Sequence, residues 1–99
     1  MSTEQIKESI LNGTFEYNES IRDEDIVNAF TSLRDDIDNG SESIWKSTMT
    51  AMMTFPARSD THLKLARLFH DCEAHHKFML TASMDDESFF EKLFFHCFG

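Results

Sequence analysis

The stretch DTHLKLARLFHDCEAHHKFMLTA, residues 60–82, is the longest uninterrupted periodic segment of this 99-residue chain. Its apolar positions recur at spacings of four, three, four and three, and at about 100° per residue they align on one helical face. The stripe consists of Leu65, Phe69, Cys72, His76 and Met79, and Leu68 and Leu80 widen it. Pro56 is expected to end the preceding helix, and Ser59 or Asp60 to cap this one. The pattern predicts a single amphipathic helix.

Four further helices are predicted around this one. Their expected ranges are about 3–12, 20–39, 41–55 and 83–98. Gly13 and Gly40 stand where left-handed C-caps are expected, and Phe15 and Tyr17 are expected to attach the first loop to the core. One proline and three glycines leave little material for strands and turns. We therefore expect an all-α fold, a compact single-domain bundle of four to five helices with short loops over residues 1–99.

The helix at 20–39 carries both a clear core face and two acidic clusters. Ser20 followed by Asp23 resembles a capping box at its start. The apolar stripe is regular and consists of Ile26, Phe30, Leu33 and Ile37. The acidic clusters, one at each end of the helix, consist of Asp23, Glu24, Asp25, Asp35, Asp36 and Asp38. Carboxylates near a helix C-terminus oppose the helix dipole, so the second cluster is a candidate for partner contact.

Acidic residues are concentrated in the N-terminal part of the chain. The formal charge is −9, and residues 1–43 hold 11 of the 18 acids against 3 of the 9 bases. Such a surface repels phosphates, which disfavours direct binding to nucleic acid or to an anionic membrane. A basic protein partner is favoured, and the six acidic residues of the two clusters are the candidate contacts. An acidic surface that only confers solubility is the alternative.

Cysteine and histidine residues raise the question of a metal site. Cys72 and His76 are four residues apart, and His96 with Cys97 could supply further ligands. The alternative is that Cys72 packs as a small apolar residue and His76 is a core histidine bonded to a carbonyl. Because only half of a paired zinc pattern is present, we expect no metal and no cofactor. With no phosphate-binding loop and no catalytic motif, we also expect that the protein is not an enzyme.

The last helix is apolar over far more than the roughly 100° arc that a surface helix needs. Only Glu91 and Lys92 interrupt its phenylalanine-rich run. Either the helix is inserted between others, or one side of it meets another chain. The candidate residues for a homodimer or partner interface are Phe90, Phe94, Phe95 and Phe98.

These observations lead to three hypotheses for function. The leading one is a small acidic protein-binding module that docks on, and blocks, a basic nucleic-acid-binding or nuclease-type protein. In general character, though in no motif, this resembles phage-encoded inhibitors and bacterial immunity proteins. The second is a homodimeric structural or regulatory protein that assembles through its C-terminal helix, and the third is a metal-stabilised helical module. Two cysteines, no signal peptide and no apolar run of about 18 residues predict a cytoplasmic protein without a membrane span.

Overall fold

All regular structure in residues 1–98, the part of the chain that the computed structural model describes, is helical. Six α-helices are followed by a π-helical turn: α1 Thr3–Leu11, α2 Asp23–Asp38, α3 Glu42–Met52, α4 Asp60–Phe69, α5 Glu73–Asp85, α6 Glu87–Leu93 and the π turn Phe94–Phe98. We refer to α6 and the π turn together as the C-terminal segment. The all-α class is confirmed. The predicted number of helices is too low because the stretch at 60–82 forms two helices.

Helix α2 lies at the centre of the fold. It packs against α1, α3, α4 and α5, and its predicted stripe is confirmed, since every member is fully buried: Ile26, Phe30, Leu33 and Ile37. The predicted start was wrong. The N-cap residue is Arg22, whose side chain makes no capping hydrogen bond, and the expected cap at Ser20 lies outside the helix. The chain is therefore organised around α2 rather than around the 60–82 stretch.

The predicted helix at 60–82 is interrupted before Cys72, which is the N-cap of α5 with extended backbone angles (φ −89°, ψ 107°). The interruption changes which side of the second half faces the core. His75, Phe78 and Ala82 are buried, whereas His76 is exposed. The predicted core position of His76 was therefore wrong and is occupied by His75, whereas the predicted bond of His76 to a carbonyl is present.

Contacts with the end of α2 hold the interruption in place, because the sequence there contains neither proline nor glycine. The Cys72 thiol donates a hydrogen bond to Asp38 (3.0 Å). Beside it, the Arg34 guanidinium lies 3.4 Å from the Asp71 carboxylate. These contacts belong to the tertiary structure, so the local periodicity of residues 60–82 could not reveal them.

Most other helix ends follow the predicted signals. Ser2, Ser41 and Ser59 each accept a hydrogen bond from a first-turn amide. Gly13 (φ 75°) and Gly40 (φ 100°) adopt the left-handed conformation expected of them. The last cap was misplaced, since the residue that caps α6 is Asp86 rather than Ser83 or Asp85. Helix α5 accordingly runs past the predicted boundary.

Two aromatic groups complete the core. Phe15, Phe30 and Phe55 pack together with centroid separations of 5.8–6.5 Å, and this contact attaches the first loop as predicted. Trp45 is 1% exposed and packs against Phe78 and Phe89 on the side of α5 and α6. Within residues 1–98, none of the helices is long and apolar enough to cross a bilayer.

Candidate interaction surface

An open groove lies between α4, α5 and the C-terminal segment. Its larger cavity has a volume of about 430 Å³, and a second cavity of about 340 Å³ shares three of its lining residues, His76, Met79 and Phe94. The apolar lining consists of Leu63, Ala66, Phe69, Met79, Leu80, Phe90, Phe94 and Phe98. The polar lining consists of Arg67, His70, His75, His76 and Ser83. We call this feature the apolar groove.

Five large apolar side chains of α4, α5 and the C-terminal segment are exposed. They are Leu63 (43% exposed), Leu80 (69%), Met84 (85%), Phe94 (40%) and Phe95 (75%), and we call them the apolar rim. On α5, Leu80 and Met84 lie about 200° around the helix from the buried Phe78 and Ala82. They therefore point away from the core, and the prediction that Leu80 widens the core stripe was wrong.

The four phenylalanines predicted as an interface are brought together at the groove. Phe90 and Phe94 line it one helical turn apart, with ring centroids 5.7 Å apart, and Phe98 lines its other end. Phe95 is turned outward, with its ring edge-to-face against Phe94 at 5.7 Å. The remaining apolar positions of this segment point inward, since Leu93 is fully buried and Phe89 packs on Trp45. One side of the segment is thus core and the other borders the groove.

A buried histidine contributes to the groove wall. The Trp45 indole donates a hydrogen bond to Nδ1 of His75 (2.9 Å), so the proton of the neutral His75 ring resides on Nε2. The ring also packs against Phe69 and Phe98. Burial, and secondarily the nearby charge of His76, lowers the pKa of His75 to about 4. At neutral pH this residue is therefore an uncharged part of the wall.

Three of the four residues considered as metal ligands, Cys72, His76 and His96, hydrogen-bond to other groups of the chain. His76 Nε2 lies 2.7 Å from the carbonyl oxygen of His70, and His96 Nε2 lies 2.8 Å from that of Phe55. Cys72 donates to Asp38. Within residues 1–98, no three histidine, cysteine or acidic side chains are grouped so as to hold a metal ion.

The surroundings of each cysteine raise the pKa of its thiol. Burial raises the pKa of Cys97 to about 12. Burial and the hydrogen bond to Asp38 also raise the pKa of Cys72. Both cysteines are free thiols, and these pKa shifts keep them protonated at neutral pH.

The first acidic cluster is largely bonded within the chain. Asp23 accepts a hydrogen bond from Thr61 (2.9 Å), and its carboxylate lies 3.6 Å from the Lys64 amine. Asp25 lies within hydrogen-bond distance of the Thr3 hydroxyl. Only Glu24, paired with its exposed neighbour Arg22, is directed fully toward solvent. This cluster therefore helps to hold α4 and α1 against α2.

The second acidic cluster behaves in the same way. Asp36 lies 3.7 Å from Lys7 on α1, and Asp38 lies 3.6 Å from Arg34 and accepts the hydrogen bond from Cys72. Asp35 is exposed, and its side chain has no hydrogen bond or ion pair with any residue in 1–98. The two clusters lie at opposite ends of α2, so they do not form one continuous patch.

His62 is a second buried histidine, and it was not among the candidate residues predicted from the sequence. His62 is 1% exposed, neither ring nitrogen has a hydrogen-bond partner within residues 1–98, and its ring meets that of His96 edge-to-face at 5.5 Å. A signal was present, because His62 lies three and seven residues before Leu65 and Phe69 and so continues their stripe. No comparable signal existed for His75, whose position depends on the interruption before Cys72.

The apolar groove and its rim are thus the feature of this surface that core packing leaves unexplained. Isolated exposed apolar residues are ordinary, but a group of them around a concave site is typical of binding surfaces. No protein-family model, curated protein or solved structure matches the chain.

Proposed function

We propose that the protein is a small protein-binding module and that its binding surface is the apolar groove with the apolar rim. The observation that carries the proposal is the clustering of exposed apolar side chains. Among residues 1–98, seven large hydrophobic residues are exposed. Of the five rim residues, Leu63, Leu80 and Phe94 line the groove, Phe95 packs against Phe94, and Met84 lies one helical turn after Leu80 on α5. The other two, Met1 and Leu11, lie at the N-terminus and at the end of α1.

The size of this surface favours a polypeptide over a small molecule. A ligand held in the cavities would leave Met84 and Phe95 exposed, because neither residue lines them. From the exposed fractions, the rim offers roughly 600 Å² of apolar surface if each side chain has an area of about 200 Å². This approaches the roughly 800 Å² that each partner contributes to a standard protein interface. An amphipathic helix laid in the groove would cover both cavities and rim.

The test is a selection of displayed amphipathic helical peptides on sparsely immobilised protein. We expect enrichment of peptides with apolar residues at helical spacing and loss of their binding to the double variant Leu80→Ser and Phe95→Ser. Leu11→Ser is the matched control, since it removes an exposed leucine of α1, a helix that supplies no residue to the groove lining. Equal binding to the double variant and to the control would refute the proposal.

We propose as a second candidate that the acidic N-terminal surface docks on a basic nucleic-acid-binding or nuclease-type protein, as an inhibitor or immunity-type protein would. The exposed carboxylates of Glu4, Glu8 and Asp35 support it, because they have no side-chain partners within residues 1–98. The excess negative charge of residues 1–43 also favours encounter with a basic surface.

Reversing these exposed charges separates binding from folding. The triple variant Glu4→Lys, Glu8→Lys and Asp35→Lys spares the carboxylates that pair within the chain. We expect it to fold normally and to lose binding in a panel of basic proteins, and wild-type binding to weaken steeply with salt. The exposed Glu73→Lys on α5 is the control. Binding that survives the triple reversal would exclude this candidate.

A further inference from the structure

The two walls of the apolar groove carry opposite charge. The wall formed by α4 presents Arg67 and His70, both exposed and both lining the larger cavity. The only acidic residue of α4, Asp60, lies about two turns before Arg67 at the N-terminal end. Lys64 on the same helix is already paired with Asp23. This wall is therefore basic next to the cavity.

The outer edge of the opposite wall is acidic, although neither of its two glutamates lines either cavity. Glu87 and Glu91 are exposed on α6, one turn apart, and lie about 60–100° around the helix from Phe90. They flank the groove-lining phenylalanines on the side away from the core. Lys92 lies about 100° further around, so it does not neutralise the edge beside the groove. Arg67, Glu87 and Glu91 form no ion pair with any residue in 1–98.

We infer that the polypeptide that covers the apolar groove is a second copy of this chain, related by a twofold axis that runs along the groove. This inference rests on the proposed function. In a twofold interface, residue i of one copy meets residue j of the other and the reverse contact is also made. An axis along the groove places the α4 wall of each copy over the C-terminal wall of its partner. Arg67 of each copy then faces Glu91 of the other copy. An axis across the groove would instead place walls of like charge opposite each other.

The apolar content of the surface fits the same occupant. Each copy brings an apolar groove and an apolar rim, so Leu80, Met84 and Phe95 of one copy are covered by the equivalent surface of the other. The roughly 600 Å² of rim surface on each copy falls near the standard interface size once polar edges are added. A basic partner of the kind expected for the acidic surface would meet Arg67 unfavourably here.

The first experiment is sedimentation equilibrium of the wild-type protein and of two charge variants, Arg67→Glu and Glu91→Arg, in low salt. We expect a wild-type dimer and roughly a tenfold weaker dimer for each variant, because both symmetric ion pairs become repulsive. Mixing the two variants in equal amounts should restore wild-type affinity, since every Arg–Glu contact is then regained in the heterodimer. Phe95→Ser should weaken dimerisation by about 100-fold or more, since it removes an apolar contact twice.

Three results would overturn the inference. They are a monomeric wild type at millimolar concentration, charge variants that dimerise as the wild type does, and a mixture no tighter than its components. Circular dichroism of each variant verifies that it is folded, which is expected because both substituted side chains are exposed. A monomer that still selects helical peptides refutes only the second copy as occupant, whereas a monomer that selects none refutes the proposed function as well.

Discussion

The stability of the fold should decline as the pH falls below neutrality, and His75 should account for a large part of the decline. The pKa of this residue falls from 6.5 to about 4 on folding, chiefly because of burial. Between these two values the unfolded chain binds a proton that the native protein does not bind, so acid favours unfolding. The contribution of neutral His75 to the free energy of unfolding is fully present above pH 6.5 and is lost progressively as the pH falls to 4.

The size of this loss of stability follows from the change in the pKa of His75. One pKa unit corresponds to about 1.4 kcal/mol, so the full window is worth about 3 kcal/mol and the interval from pH 7 to pH 5 about 2 kcal/mol. The narrower interval is the better one to measure because most carboxylates stay ionised there. His62 contributes in the same direction, since burial and then the charge of His96 lower its pKa. A comparison with a His75 variant isolates the first contribution.

The assay is urea unfolding followed by fluorescence of Trp45, the only tryptophan of the chain. His75→Gln cannot be protonated in this range and can still accept the Trp45 hydrogen bond through its amide oxygen. We expect the variant to be about 1–2 kcal/mol less stable than the wild type at pH 7, because the packing of the ring is lost. Between pH 7 and pH 5, however, its stability should fall by about 2 kcal/mol less than that of the wild type. His70→Gln, on an exposed residue, is the control. A wild-type pH slope in the His75 variant would refute the reasoning.

Two further predictions concern other buried groups. His62→Leu should raise the free energy of unfolding by about 1 kcal/mol at pH 7, because an apolar side chain of similar size replaces two ring nitrogens that have no hydrogen-bond partner within residues 1–98. Urea unfolding measures this stability, and a clear loss of it would contradict the prediction. Cys97 should react with iodoacetamide at pH 8 at least about 100-fold more slowly in the native protein than in urea, because burial raises its pKa to about 12. Peptide mass mapping gives the reaction rate, and equal rates in the two conditions would exclude the raised pKa.

Much of the fold was predictable because its signals are local. The stripe of α2, the serine caps and the two left-handed glycines each depend on residues within one or two helical turns. The sequence likewise showed that the C-terminal segment contains more phenylalanines than one buried helix face requires. Which of them line a groove was not predictable, because this depends on how the segment packs against Trp45 and α5: Phe89 contacts Trp45, whereas Phe95 is 75% exposed.

The acidic clusters show why a candidate site can be visible in the sequence and still be misread. Their charge and position on α2 were evident, but their partners Lys7, Thr61 and Lys64 lie on other helices. A carboxylate that pairs with a side chain of another helix and a carboxylate that is free to bind another protein cannot be distinguished in a linear sequence. Only the packing of α1 and α4 against α2 distinguishes them.

The sequence by itself determined that the chain is helical, that it is acidic toward its N-terminus and that it ends in an excess of phenylalanine, because composition and short-range periodicity carry those properties. The tertiary structure alone decided where the 60–82 stretch is interrupted, since the contact between Cys72 and Asp38 spans 34 positions of the chain. That interruption buries His75 in place of His76 and opens the groove between α4 and α5. The surface proposed for binding is thus a consequence of long-range packing, which no local pattern encodes.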